Sequence, residues 1–230
     1  MRALLLAAGL GTRLRPLTNT VPKCLVPIKG KPLLAIWFER LSDAGIRPFI
    51  VNTHYLAGQV EHFVRESPWN SSVSLVHEAQ LLGTAGTLLA NLDFFQGEDG
   101  MLVHADNYCL ADFDAFVAAH RSRPPHCLMT MMTFKTDTPS TCGIVELDQS
   151  GVVVGFHEKV PNPPGHTANG AVYILSAEML AILGSNMAGV TDFSTEVLHN
   201  FVGHIYTYHT DAMFLDIGSP ESYSKANAKA

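Results

Sequence analysis

Cysteine is sparse in this chain and scattered. Cys24, Cys109, Cys127 and Cys142 lie far apart and form no CxxC pair, so neither a zinc site nor a disulfide framework is indicated, and reduced thiols are expected. No apolar run approaches the roughly eighteen residues that a membrane-spanning helix needs. The opening MRALLLAAGLG has too short an apolar core, and no convincing cleavage site after it, for a secretory signal. A cytoplasmic protein with no membrane partner is therefore expected. Internal repeats, low-complexity tracts and clear linkers are also missing. With 230 residues and 47% hydrophobic content, one sizeable core suffices, and a single domain over residues 1–230 is expected.

Acidic residues are absent from the first 38 positions, which carry six basic ones: Arg2, Arg13, Arg15, Lys23, Lys29 and Lys31. Since the net charge of the whole chain is −6, the remainder is strongly acidic. Such a balance disfavours nucleic acid as a partner, whereas a compact basic lobe suits a small polyanion.

Short apolar runs alternate with helix-like segments, the pattern of a mostly parallel sheet flanked by helices. Strands are expected at Arg2 to Ala7, RPFIVNT, SVSLVHE, GMLVHA and CLMTMMTF. Helices are expected over Pro32 to Ala44, around Leu56 to Arg65, from Thr84 to Leu92 and after Asp112. From Thr136 the texture changes to CGIVELD, VVVGFHE and GAVYIL, read as smaller β-rich additions. Two more helices are expected near Ser176 and Phe193.

The first strand runs into the loop GLGTRLRPLT. It lacks the third glycine of the dinucleotide fingerprint, and no G-x-x-x-x-G-K-[ST] is present. The physics of a phosphate cradle still applies. Gly9 and Gly11 let backbone N–H groups approach a ligand, Arg13 can bind phosphate bidentately, and the proline-flanked Lys23 adds a point charge.

These residues resemble those of the sugar-1-phosphate nucleotidyltransferases, most closely the mannose- and manno-heptose-1-phosphate guanylyltransferases. The resemblance is carried by LAAGLGTRLRPLT at Leu6 to Thr18 and PKCLVPIKGKPLL at Pro22 to Leu34. It continues through LLGTAGTL from Leu81, VHADNY from Val103, HEKV from His157, NGAVYIL from Asn169 and FLDIGSPESY from Phe214. It implies a Rossmann-like, GT-A-like α/β fold and attack by a sugar-1-phosphate oxygen on the α-phosphorus of a nucleoside triphosphate. The left-handed β-helical extension of some members is not expected.

By that resemblance, Leu6, Ala7, Ala8, Gly9, Gly11, Thr12, Arg13, Lys23, Glu78, Gly83 and Thr84 bind nucleotide. Asp106 and Asp216 hold Mg2+. Asn107, Gly143, Glu158, Lys159 and Asn169 bind the sugar and its phosphate. Arg13, Lys23, Asp106, Lys159 and Asp216 form the catalytic set. The nucleophile is already ionised, so positioning and charge neutralisation carry the reaction. Three positions depart from the family pattern. Ala105 replaces glycine before the metal aspartate, adding a methyl that would narrow the approach of the phosphates; Ser219 replaces threonine, and Phe214 a frequent tryptophan.

Glu78 stands where uridylyl and thymidylyl members carry glutamine. A carboxylate only accepts, and guanine offers two adjacent donors, so GTP is the expected nucleotide; an exposed loop acid is the alternative reading of Glu78. UTP- or dTTP-dependent transfer is the alternative activity. A different class, a GT-A glycosyltransferase, would need an Asp-x-Asp, for which DFD at Asp112 to Asp114 is the candidate; its position just before a helical pattern argues against it, since a helix cap or first-turn acid is the ordinary explanation. A non-catalytic nucleotide-sugar-binding subunit is the remaining rival. Family members often associate, so a homo-oligomer is allowed. The recurrence of His199, His204 and His209 every five residues fits no metal motif.

Overall fold

The computed structural model describes residues 1–228. In chain order it contains β1 (Arg2–Leu6), β2 (Pro27–Ile28), β3 (Lys31–Pro32), α1 (Leu33–Asp43), β4 (Phe49–Thr53), α2 (Ala57–Glu66) and β5 (Val73–His77). Then come α3 (Gly83–Ala90), β6 (Gly100–His104), β7 (Asn107–Cys109), α4 (Phe113–Arg121), β8 (Met129–Lys135), β9 (Gly143–Leu147) and β10 (Val153–Glu158). The last elements are β11 (Thr167–Leu175), α5 (Ala177–Asn186), β12 (Ile205–Thr210), β13 (Phe214–Asp216) and α6 (Pro220–Ala228). The chain divides into two compact units interleaved in sequence. The first comprises residues 1–81, 103–110 and 213–228, and the second residues 82–102 and 111–212.

In the first unit β1, β4 and β5 pair in parallel, with Leu5 opposite Val51 and Val51 opposite Leu75. The apolar runs of β1 and β4 fit parallel strands buried on both faces: Ala3, Leu4, Leu5, Phe49 and Val51 are wholly buried, whereas β5, VSLVH, is only partly covered. Helix α1 starts at Leu33, one residue later than expected, because Pro32, with ψ 136°, is extended and serves as the residue just before the helix. It stacks Phe38 on Phe49 at 5.0 Å between ring centroids. From the same helix Trp37 donates its indole N–H to the Asn107 carbonyl at 2.8 Å, which anchors β7. Strand β7 in turn pairs antiparallel with β13, placing Asn107 opposite Asp216.

In the second unit β8 is flanked by β12 in parallel and by β11 antiparallel, and β9 pairs antiparallel with β10 and with β11. The texture change after Thr136 is thus a change to antiparallel pairing. Helix α4 starts at Asp112, whose carboxylate accepts the Ala115 N–H at 2.9 Å. The acid of DFD is a helix cap, and the ordinary explanation of it holds.

The expected helix near Phe193 is instead a π turn over Phe193–Val197 followed by a 3-10 turn over Leu198–Phe201. Its start is tied by Asp192, which accepts from the Thr195 N–H. Glu196 accepts from the Thr191 and Asp192 N–H groups. The backbone amide of Asp192 and those around it hold the Glu196 carboxyl below its usual range. No helix among the described residues is long and apolar enough to cross a membrane.

Candidate active site

The phosphate-cradle residues converge within the first unit. Gly11 has φ +63°, the left-handed region that glycine occupies without a Cβ penalty. A Cβ there would lie 3.0 Å from Thr18 Cγ2 and 3.3 Å from Lys23 Cβ, so the tight turn and its packing both require glycine. Thr18, wholly buried, donates its hydroxyl to the Gly11 carbonyl at 2.7 Å. The short 3-10 turn Thr12–Leu14 follows and leaves the Arg13 side chain 71% exposed. Leu6 at the end of β1 accepts from the Ala105 N–H.

The four residues of the expected catalytic set that belong to this unit form one charge network. The Lys23 ammonium, only 8% exposed, donates to Asp106 Oδ2 at 2.6 Å and to Asp216 Oδ1 at 3.2 Å. Arg13 Nη2 reaches Asp216 Oδ2 at 3.3 Å. Asp106 and Asp216 are 110 positions apart in sequence and meet because β7 pairs with β13 and the Ile217 N–H donates to the Asp106 carbonyl. A Cβ on Gly218 would lie 2.6 Å from Asp216 Oδ2 and 2.7 Å from Arg13 Nη2, so the glycine of DIG permits this approach. Ala105 is wholly buried. Its methyl therefore packs into the interior, contrary to the expectation that it narrows the phosphate approach.

Burial alone would raise the Asp106 carboxyl, but the Lys23 ammonium, then His104 and the Lys23 hydrogen bond, together hold it below the usual carboxylate range. Next to Lys23, burial pushes the Cys24 thiol up to about 12, which keeps it protonated and inert. The two carboxylates are hard oxygen donors already arranged around one shared cation, Lys23 Nζ, and both are partly open to solvent. That donor set fits Mg2+, which commonly takes one or two protein carboxylates with phosphate and water oxygens. Among the described residues no cluster of three His, Cys, Asp or Glu forms an all-protein cage.

A second group in this unit surrounds Glu78, which is 7% exposed and so no surface loop acid. Its carboxylate accepts from Asn52 Nδ2 at 2.9 Å. Asn52 Oδ1 accepts the Ala7 N–H at 2.7 Å. The Glu78 backbone is clamped as well: its N–H donates to the Thr53 carbonyl and its own carbonyl accepts from His54 Nδ1, each at 2.8 Å. Asn52 is not among the residues that the motifs single out. Its one signal along the chain is a polar residue inside the otherwise apolar strand FIVNT.

In the second unit, Gly83 has φ +79°, and a Cβ there would collide with the Thr191 carbonyl. That carbonyl accepts the Ala85 N–H at 2.9 Å, and the Thr84 hydroxyl accepts the Phe193 N–H at 2.7 Å. Both motif residues therefore dock α3 on the Thr191–Phe193 segment.

Of the expected sugar contacts, a Cβ on Gly143 would lie 2.5 Å from Glu158 Oε2 and 2.7 Å from Phe156 Cζ. Glu158 Oε1 pairs with the Lys159 ammonium at 2.8 Å. Asn169 sits at a bulge of β11, where its Oδ1 accepts the Ala171 N–H and its Nδ2 donates to the buried Tyr173 hydroxyl at 2.7 Å. Burial raises the Tyr173 hydroxyl far above its usual range. Asn107 belongs to the first unit, where it is buried in β7. The three regularly spaced histidines share no ligand: His199 packs on Phe156, His204 meets the His126 carbonyl and His209 meets Thr133.

Known proteins resemble the chain over nearly its whole length. The Danio rerio mannose-1-phosphate guanylyltransferase catalytic subunit beta is 32% identical over 228 residues, covering 97% of this chain and 62% of that protein. Its counterpart in Drosophila pseudoobscura pseudoobscura is 31% identical, with coverage of 96% and 60%. The chain thus spans about three fifths of the length of these relatives. The crystal structure of HddC from Yersinia pseudotuberculosis complexed with GMP-PN superposes with a TM-score of 0.80 at 28% identity, covering 98% of this chain and 97% of that one. A Bacillus anthracis structure containing sucrose shares the fold, with a TM-score of 0.87 at 20% identity over 99% and 94% of the two chains. With the nucleotidyl transferase family profile matching residues 2–230, the chain belongs to that family.

Proposed function

We propose that the chain is a sugar-1-phosphate guanylyltransferase, a single catalytic domain over residues 1–230. It converts GTP and mannose 1-phosphate or manno-heptose 1-phosphate to a GDP-sugar and pyrophosphate. A phosphate oxygen of the sugar 1-phosphate forms the new bond to the α-phosphorus of GTP, and the bond to the β-phosphate bridging oxygen breaks in line. The observation that carries this reading is the Lys23 ammonium shared by Asp106 and Asp216 beside Arg13. Arg13 and Lys23 bind and neutralise the triphosphate, Asp106 and Asp216 would hold Mg2+, and the glycine loop supplies backbone donors. Bound there, the metal would supply charge neutralisation on the phosphates. Lys159 and Glu158 bind the sugar phosphate and a sugar hydroxyl. The GMP-PN ligand of HddC and the names of the curated relatives support GTP. We also propose a cytoplasmic location, with which the four free cysteines agree.

The test is pyrophosphate release with Mg2+ across GTP, UTP, dTTP, ATP and CTP, each against a panel of sugar 1-phosphates. Release with GTP and a manno-configured sugar is expected. Release with UTP or dTTP alone would refute the guanylyl assignment, and no release with any pair would refute the transferase.

A further inference from the structure

Asn52 is 4% exposed and has two hydrogen bonds whose directions are chemically forced. The Ala7 backbone N–H can only donate, so the amide face toward it, 2.7 Å away, must be Oδ1. The face toward Glu78, at 2.9 Å, is then necessarily the NH2 group. Residue 78 must answer with an acceptor. A glutamate does so with one carboxylate oxygen, and its other oxygen is an acceptor too. A glutamine in the same place would turn its carbonyl to Asn52 and present an NH2 donor on its other side. The amide of Ala7, between β1 and the glycine loop, thereby dictates through Asn52 the hydrogen-bonding sense of residue 78.

We propose that Asn52 is a specificity-determining positioning residue: pinned by the Ala7 N–H, it makes residue 78 present an acceptor when that residue is glutamate and a donor when it is glutamine. The inference rests on the reading of Glu78 as the group facing the base. The backbone clamp supports such a role, because Thr53 and His54 hold the main chain of residue 78 on both sides. The side chain's terminal group remains to be oriented, and Asn52 Nδ2 donates to it. Guanine's ring N–H and amino group need an acceptor opposite them, and a donor there would face them unpaired.

A swap of chemistry separates this role from a merely structural one. In Glu78→Gln the presented group becomes a donor. In Asn52→Asp combined with Glu78→Gln, the new aspartate accepts from both the Ala7 N–H and the NH2 group of the new glutamine. That glutamine then presents its carbonyl oxygen again, with shape and net charge conserved across the pair. Dissociation constants for GTP and UTP, measured calorimetrically on the full chain with Mg2+, give the readout. Glu78→Gln should lower the GTP-over-UTP preference by about 10- to 100-fold, the worth of one good base contact. The double variant should return it to within about 3-fold of the starting protein.

If Glu78→Gln leaves the preference unchanged, Glu78 does not read the base and both ideas fall. If Glu78→Gln shifts it and the double variant does not restore it, the Asn52 role alone is overturned. Should the double variant unfold, Asn52→Ala with Glu78→Gln is the substitute. Its glutamine can turn freely, so part of the GTP preference must return, and retention of the full Glu78→Gln defect overturns the proposal.

Discussion

Lys23→Met tests the charge network most directly, since it removes the ammonium while keeping a side chain of similar length. In the intact protein Lys23 sits 2.6 Å from Asp106 Oδ2 and 3.2 Å from Asp216 Oδ1. Two unit charges about 4 Å apart interact by about 4 kcal/mol at an effective dielectric constant of about 20. The two carboxylates are 39% and 50% exposed, and solvent screening at that exposure pulls the contribution toward the surface value of about 1 kcal/mol or less. A loss of about 1–3 kcal/mol at neutral pH is therefore expected, because the variant leaves two carboxylates facing each other with Arg13 as the remaining basic group of the network.

The pH dependence carries the sign. Asp106 titrates below its ordinary range when folded, so its contribution is present above the unfolded value near 4 and disappears as pH falls through the lowered folded value. The stability gap between the intact protein and Lys23→Met should thus be widest at neutral pH and shrink below about pH 4. Urea unfolding in chelator from pH 3 to 8 measures this. A gap absent at pH 7, or equally wide in acid, would refute the argument. Magnesium should also raise the Tm of Lys23→Met more than that of the intact protein, because the metal would no longer compete with the ammonium for the two carboxylates.

Gly83→Ala combines a left-handed backbone penalty with a clash on the Thr191 carbonyl, and should cost about 2–5 kcal/mol, read as a fall in Tm of at least about 4 °C. Lys159→Ala should raise KM for the sugar 1-phosphate by about 10- to 100-fold with little change in KM for GTP; steady-state kinetics with each substrate varied would contradict the role of Lys159 if the defect lay with GTP. His120 is wholly buried, accepts or donates to Thr130 at 2.8 Å and lies 3.3 Å from Asp99. Burial, reinforced by Arg123, pushes it down to about 4. The unfolded chain then takes up a proton near 6.5 that the folded one refuses, so stability is complete above that pH and declines as pH falls toward about 4. His120→Gln should flatten that part of the pH–stability curve.

Elements with several apolar turns or alternations were legible because their signal is local: β1, α1, β4, β8 and α4 lie where the periodicity places them. Strands β2, β3, β7 and β13 have two or three residues each, too few to show a period, and they were invisible. The two that matter most, β7 and β13, bring Asp106 to Asp216. Gly83 and Thr84 show a structural role that the motif does not reveal: the Thr84 hydroxyl accepts the Phe193 N–H, and Gly83 lies where a Cβ would meet the Thr191 carbonyl.

By itself the sequence determined the α/β class, the family, and which charged residues to examine, because those follow from composition, short-range periodicity and ordered motifs. Only the tertiary structure decided that one buried ammonium serves both carboxylates, that Ala105 points its methyl inward, and that Asn52 orients Glu78. The ammonium pair and the Asn52–Glu78 contact join residues distant in sequence, brought within a few ångströms by strand pairing and the turns at strand ends, and the burial of Ala105 likewise depends on what packs over it; none of these has a signature along the chain.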